Sequence, residues 1–303
     1  MLLGRVARMY YEHGLTHQEI ANALGLSRIR VTRLLAEARD KGLVEIIVHV
    51  EESLFADEER DLSARYGLLQ AWVAPSVPDS AKADRAFATV GADALGSVIE
   101  KDAVVALGLS TAVALVVQEV PQRQLGARFV PLAGGASGLV NGANPHEIAL
   151  SLAAKTGGQA FYLPAPLLAV SAEAARTATA DPGVADVLGL AAKADLLVAG
   201  LGGSEAGQGL LLGSLDERQH TELGALGAVG DLAGRFFDAE GRAVTGELDE
   251  RVVGLTLTQM QQIPHRLVIA RGASKVDALR VALENGLVNM LVTDAETAGA
   301  LLA

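Results

Sequence analysis

The run Ser27-Arg28-Ile29-Arg30-Val31-Thr32-Arg33 places three guanidinium groups and two hydroxyls within seven residues. An arginine fork pairs with guanine O6 and N7 or clamps a phosphate, and hydroxyls and helix-start amides bind phosphate oxygens. That is the chemistry of nucleic-acid recognition. A second kind of chemistry is spread over the rest of the chain. Short apolar runs end in glycine at Gly108, Gly134-Gly135, Gly200, Gly202-Gly203 and Gly272. Turns of this sort expose backbone amides at helix starts, where an anion, most simply a phosphate, can sit. A single such turn is ordinarily just a tight connection; several in one domain point to an anionic small ligand. Neither GxGxxG nor GxxxxGK[ST] occurs, which disfavours dinucleotide and nucleoside-triphosphate binding. The absence of cysteine excludes thiol catalysis, disulfides and cysteine-bound zinc. No cofactor and no metal centre is expected.

The elements that must position the arginines follow from the first fifty residues. Leu3, Val6, Ala7 and Tyr10 recur at helical spacing, and Gly14 ends that helix. Thr16 with Glu19 three residues on forms a capping box for a second helix, whose inner face is Ile20, Ala21 and Leu24. Small Ala21 lets two helices cross closely, and Gly25 permits a turn with positive φ. Ser27 caps a third helix buried through Val31, Leu34, Leu35 and Ala38; Gly42 ends it, and residues 43–50 alternate as a strand. This is a helix-turn-helix whose second helix enters the major groove, with the strand as a wing. Its candidate DNA contacts are Ser27, Arg28, Arg30, Thr32 and Arg33, with Thr16 and Gln18 at the start of the preceding helix. The bland alternative is a solvated helical hairpin. It does not account for the joint register of cap, Ala21, Gly25, buried Val31 and outward arginines. Each arginine remains open to either purpose, base or phosphate.

The 303 residues carry a net charge of −11, which argues against a nucleic-acid partner until it is divided. Residues 1–50 hold seven Lys/Arg and five Asp/Glu, a surplus of +2, which leaves −13 for the remainder. Length and charge together predict a helix-turn-helix domain over 1–52, a connecting helix over 53–66 and a larger domain over 67–303. In the larger domain, apolar runs at 104–107, 129–132, 161–163, 196–199, 267–270 and 288–292 alternate with helical stretches, which implies a parallel α/β sheet. Trp72 and Phe236-Phe237 read as core. The longest nearly apolar run, 103–117, contains Ser110 and Thr111 and is too short to span a membrane. Arg5, Arg8, Glu12 and His13 break up any signal-peptide core. A cytoplasmic protein without a membrane partner is expected.

On these residues the chain resembles the SorC/DeoR-type sugar-binding transcriptional regulators of bacteria over nearly its whole length. The stretches that carry the likeness are GLTHQEIANALGLSRIRVTRLLAEARDKGLVEI (14–46), GDLAGRFFDAEGRAV (230–244) and ASKVDALRVALENGLVNMLVTDAETAGALL (273–302). The resemblance implies a winged helix-turn-helix joined to an effector domain like ribose-5-phosphate isomerase and glucosamine-6-phosphate deaminase. It also implies a homodimer or homotetramer whose operator binding, in a carbohydrate catabolic operon, responds to a phosphorylated sugar or related metabolite. Carried over, Gly108, Ser110 and Thr111 form a phosphate loop, shorter than the G-x-x-x-G-x-T of many relatives. Gly134, Gly135 and Ser137 form a second loop. Asn144 and Glu147 form a polar pair that could equally cap a helix starting near Pro145. Asp231 would accept hydrogen bonds from sugar hydroxyls, Lys275 would add a point charge, and Arg271 stands where relatives often have a small residue. The rival class is a sugar-phosphate isomerase or deaminase-like enzyme, which needs a positioned base. Asp231 is its one convincing candidate, and no catalytic residue is assigned.

Overall fold

The computed structural model describes residues 2–44, 53–136, 142–203, 213 and 215–303. The chain divides into two compact units, Met1–Glu52 and Ser53–Ala303.

In the first unit, helices α1 (Leu2–Tyr11), α2 (His17–Leu24) and α3 (Arg28–Asp40) close over a core of Val6, Ile20, Ala21, Val31 and Leu35. Both arms of the α2 capping box form: Thr16 Oγ1 accepts from the Glu19 amide at 3.3 Å, and the Thr16 amide donates to the Glu19 carboxylate at 2.8 Å. Gly25 ends α2 at φ +65°, a conformation that costs an L side chain. Ser27 Oγ then accepts the Arg30 amide and starts α3. Leu43 and Val44 form a bend, and the remaining six residues of the expected wing strand lie outside the described residues.

The second unit begins with α4 (Ala56–Tyr66), which Gly67 closes, and continues through β1 (Gln70–Ala74), α5 (Ser80–Val98), β2 (Val104–Leu107) and α6 (Thr111–Glu119). Then come β3 (Arg128–Pro131), α7 (Pro145–Thr156), β4 (Gln159–Ala160), α8 (Ala172–Ala180), α9 (Pro182–Ala191) and β5 (Leu196–Ala199). A small excursion follows: β6 (Leu201–Gly203), α10 (Glu217–Ala225), β7 (Gly230–Leu232), β8 (Arg235–Phe237), α11 (Glu247–Glu250) and α12 (Leu257–Gln261). The chain returns through β9 (His265–Ile269), a 3-10 turn (Ala273–Lys275), α13 (Val276–Glu284), β10 (Met290–Asp294) and α14 (Ala295–Leu302).

Seven parallel strands run in the order β1-β10-β9-β5-β2-β3-β4. Both faces are covered, as a parallel sheet requires. Val105 and Leu107 of β2 pack with α5, α6 and α7, while Val104 and Ala106 face the side of α9 and α13. From β2 the chain moves outward to β3 and β4, then returns to place β5 on the other side of β2. The order therefore reverses between β2 and β5, and the ends of those two strands frame the crevice where open α/β sheets bind ligands. The run 161–163, expected as a strand, follows the two-residue strand β4 as irregular chain. β1 was not foreseen, nor was the antiparallel sheet β6-β7-β8.

That small sheet is pinned by one side chain. Arg235 is buried and donates to the carbonyls of Asp249, Val252, Gly254 and Leu255 and to the Asp249 carboxylate at 2.8 Å. Removing the guanidinium leaves these largely buried carbonyls without a donor and partly exposed Asp249 without its cation. Arg235→Ala should lower the stability of this unit by about 3–5 kcal/mol. Urea unfolding followed through Trp72, the single tryptophan of the chain, measures this, and Arg235→Lys should not restore the loss because an ammonium cannot span the fork of acceptors.

Candidate functional site

A cleft of about 750 Å³ opens at the reversal of strand order, lined by Ser110, Thr111, Gly202, Asp231, Arg271 and Lys275 among others. Its floor is the start of α6. Ser110 is buried, and its Oγ accepts the Val113 amide at 3.1 Å. The amides of Thr111 and Ala112, both at the cleft, have no partner within the helix. They carry the positive end of the helix dipole and suit an anion.

Asp231 enters from β7, which pairs antiparallel with β6 so that Asp231 lies opposite Gly202. A Cβ on Gly202 would fall on Asp231 Oδ1, so only glycine lets the carboxylate lie against that strand. Asp231 Oδ2 accepts the Gly234 amide at 3.0 Å across the β7–β8 turn. In that turn Ala233 holds φ +50°, an uncommon conformation for a residue with a Cβ. Burial pushes the Asp231 carboxyl above its ordinary value, against the pull of the Gly234 amide and of Lys275. Lys275, half-buried at the end of the 3-10 turn, is pushed below its ordinary value by desolvation, with Asp231 opposing. A buried acid, a half-buried ammonium and open helix amides therefore face one cavity. They offer acceptors to hydroxyls and donors to an anion.

Other expected residues fall elsewhere. Gly108 is buried at the end of β2, where a Cβ would press on Ala199. Gly134 sits where a side chain would strike the Pro166 backbone, and Gly135 bridges Pro166; neither lines the cleft. Asn144 caps α7 by accepting the His146 amide at 3.2 Å, and Glu147 is exposed on that helix. Ser137 lies outside the described residues. Arg271 does line the cleft, but its guanidinium is paired with Asp84 and stacked on Phe87 at 4.6 Å, so its charge is largely committed. Sequence reasoning missed Asp84 and Phe87: they sit on α5, far away in the chain, and nothing local marks them.

In the first unit the expected DNA-contacting residues are all exposed, on α2, α3 and the caps that start them. Thr32 Oγ1 donates to the Arg28 carbonyl at 3.1 Å and lies 3.2 Å from His17 Nδ1, which ties α3 to the start of α2. Gln18 bonds Asn22 at 3.0 Å. The Arg28, Arg30 and Arg33 side chains have no hydrogen-bond or ion-pair partner among the described residues. Among the described residues no helix is long and apolar enough to cross a membrane.

Residues 51–303 match the family model described as a putative sugar-binding domain, and residues 5–41 match that of sigma-70 region 4. The chain belongs to the SorC-type sugar-binding transcriptional regulators. It is 32% identical to the transcriptional regulator LsrR of Escherichia coli (strain K12) over 308 residues, covering 99% of this chain and 94% of that one. To LsrR of Klebsiella pneumoniae it is 30% identical, covering 100% and 93%. The full-length sorbitol operon regulator SorC of Klebsiella pneumoniae superposes with a TM-score of 0.78 at 24% identity, covering 100% and 98%. A putative sugar-binding domain of a transcriptional repressor from Vibrio fischeri does so with a TM-score of 0.74 at 26% identity, covering 81% and 97%. This SorC-type regulator thus joins a DNA-binding helix-turn-helix to a larger, mostly parallel α/β domain.

The buried carboxyl of the regulator works against its stability. Because its value is raised by folding, the contribution of Asp231 to stability is fully present below the ordinary carboxylate range and is lost as pH rises through the shifted value. Asp231→Asn keeps an acceptor for the Gly234 amide and removes the charge. It should stabilise the ligand-free protein by about 1 kcal/mol at neutral pH or above. The gain should shrink on acidification, read as thermal midpoints by Trp72 emission at several pH values.

Proposed function

We propose that this regulator controls a carbohydrate catabolic operon, and that a phosphorylated sugar or related metabolite in the cleft sets its operator affinity. The observation that carries this reading is the convergence of the α6 amides, Asp231 and Lys275 on one cavity at the strand-order reversal. The phosphate would take the Thr111 and Ala112 amides with Ser110 and Thr111 beside them, while Lys275 supplies positive charge. Asp231 would accept two hydroxyls of the sugar, a use that rewards the buried carboxylate only when ligand is present. The chain would act as a homodimer or homotetramer. A dimer sets two α3 helices about 34–36 Å apart on a pseudo-palindromic operator. Effector and operator would then change each other's affinity by one factor, typically about 5–150-fold.

We read the domain as a sensor rather than a catalyst. Isomerisation or deamination of a sugar phosphate needs a base placed at the reacting carbon, and among the described residues Asp231 is the one buried carboxylate offered to the cleft. Turnover of ribose 5-phosphate or glucosamine 6-phosphate by the purified protein would overturn that assignment.

A thermal-shift panel of phosphorylated sugars and their unphosphorylated parents separates the readings. At least one phosphorylated sugar should raise the midpoint where its parent sugar does not. Lys275→Ala should weaken that ligand about tenfold or more while leaving operator binding in the absence of ligand unchanged. A panel without any shift would favour a domain that only oligomerises. Arg28→Ala, Arg30→Ala and Arg33→Ala should weaken operator binding and flatten its dependence on salt without altering the thermal shift.

A further inference from the structure

Ile29 is the one large apolar side chain of α3 that the fold leaves in water, at 69% exposure. An isolated apolar residue on a surface ordinarily needs no explanation. Ile29 differs because of its place. Helical geometry advances about 100° per residue. Counted from buried Val31, Ile29 therefore points about 160° away from the core, and Arg33, one turn on, about 200°. These two side chains occupy the middle of the outward face, while Leu35 and Ala38 lie with Val31 on the inner one. Ile29 contributes nothing to the core of Val6, Ile20, Ala21, Val31 and Leu35. It also stands two residues after the Ser27 cap, at the amino end of the helix, the part of a recognition helix that meets base edges.

An isoleucine side chain can neither donate nor accept a hydrogen bond. In the major groove the base edges present donors and acceptors, apart from one apolar feature, the C5 methyl of thymine. Against any other edge Ile29 would strip water from a polar atom and offer nothing in its place. We propose that Ile29 reads a thymine through its methyl group, at one position in each half of the operator, beside the base or phosphate taken by Arg33. This rests on the DNA-binding reading of α3 and adds a specificity determinant to it.

The test uses the full-length protein and a duplex that the protein itself enriches from a random-sequence pool. Each thymine is replaced in turn by deoxyuridine, which keeps the base pair and removes only the methyl, and affinity is read by fluorescence anisotropy at one salt concentration. At one thymine per half-site the replacement should weaken wild-type binding about four- to tenfold. Ile29→Ala should bind the thymine and uracil duplexes equally there, and Ile29→Gln, which guards against misfolding of the alanine variant, should do the same. Arg33→Ala should weaken both duplexes and keep their ratio. Indifference of the wild type to every replacement, or an undiminished penalty in both Ile29 variants, overturns the proposal. A protein that enriches no sequence and binds no duplex removes the DNA-binding reading itself, and this proposal with it. Sequence-specific binding without a methyl effect removes the proposal alone.

Discussion

The contact between the Asp231 carboxylate and the bare backbone of Gly202 sets the geometry of the larger unit's cleft. A carboxylate can be buried in a cleft only if chain passes close enough to shield it and an amide is turned toward it. Gly202 permits the first, and the Ala233-Gly234 turn, with both residues at positive φ, supplies the second. The hairpin that carries these residues is too short to hold itself, since isolated two-stranded hairpins are marginal in water. Arg235 fastens it to the segment 249–255. The site is thus a charged group held by a charged clamp, both buried, on a three-stranded sheet that depends on its neighbours.

Much of this architecture was legible in the chain. The caps Thr16 and Ser27, the left-handed Gly25 and the inward Ala21, Val31 and Leu35 are local signals and gave the helix-turn-helix directly. Strands β2, β3, β5, β9 and β10 could be read from apolar runs because a doubly covered parallel strand needs no alternation. The strands β6, β7 and β8 could not: three residues each are below the length at which any periodicity shows, and Arg235 looks like a surface residue until its carbonyl partners are assembled around it.

The candidate site was legible in part for a related reason. A glycine turn after a strand announces a helix start but not which strands are neighbours. Gly108-Thr111 and Gly200-Gly202 follow β2 and β5, which lie side by side at the reversal of order. Gly134-Gly135 follows β3, on the far side of β2, and serves close packing against Pro166. Strand order is a property of the whole sheet, so equal local signatures parted company in three dimensions. Arg271 carries the same lesson for charge. Its cation looked available in the sequence, and a residue nearly two hundred positions earlier, Asp84, neutralises it.

Among the described residues, Val6, Ile20, Ala21, Val31 and Leu35 form the core of the helix-turn-helix, and other clusters hold the α/β unit. The exposed residues of α3 and the residues that line the cleft thus lie on separate stretches of chain, each with a core of its own. Over evolutionary time such a chain is free to change a handful of exposed residues on α3 while the lining of its cleft drifts on its own schedule. A lineage can in this way rewire which genes answer to an old metabolite, or which metabolite addresses an old set of genes.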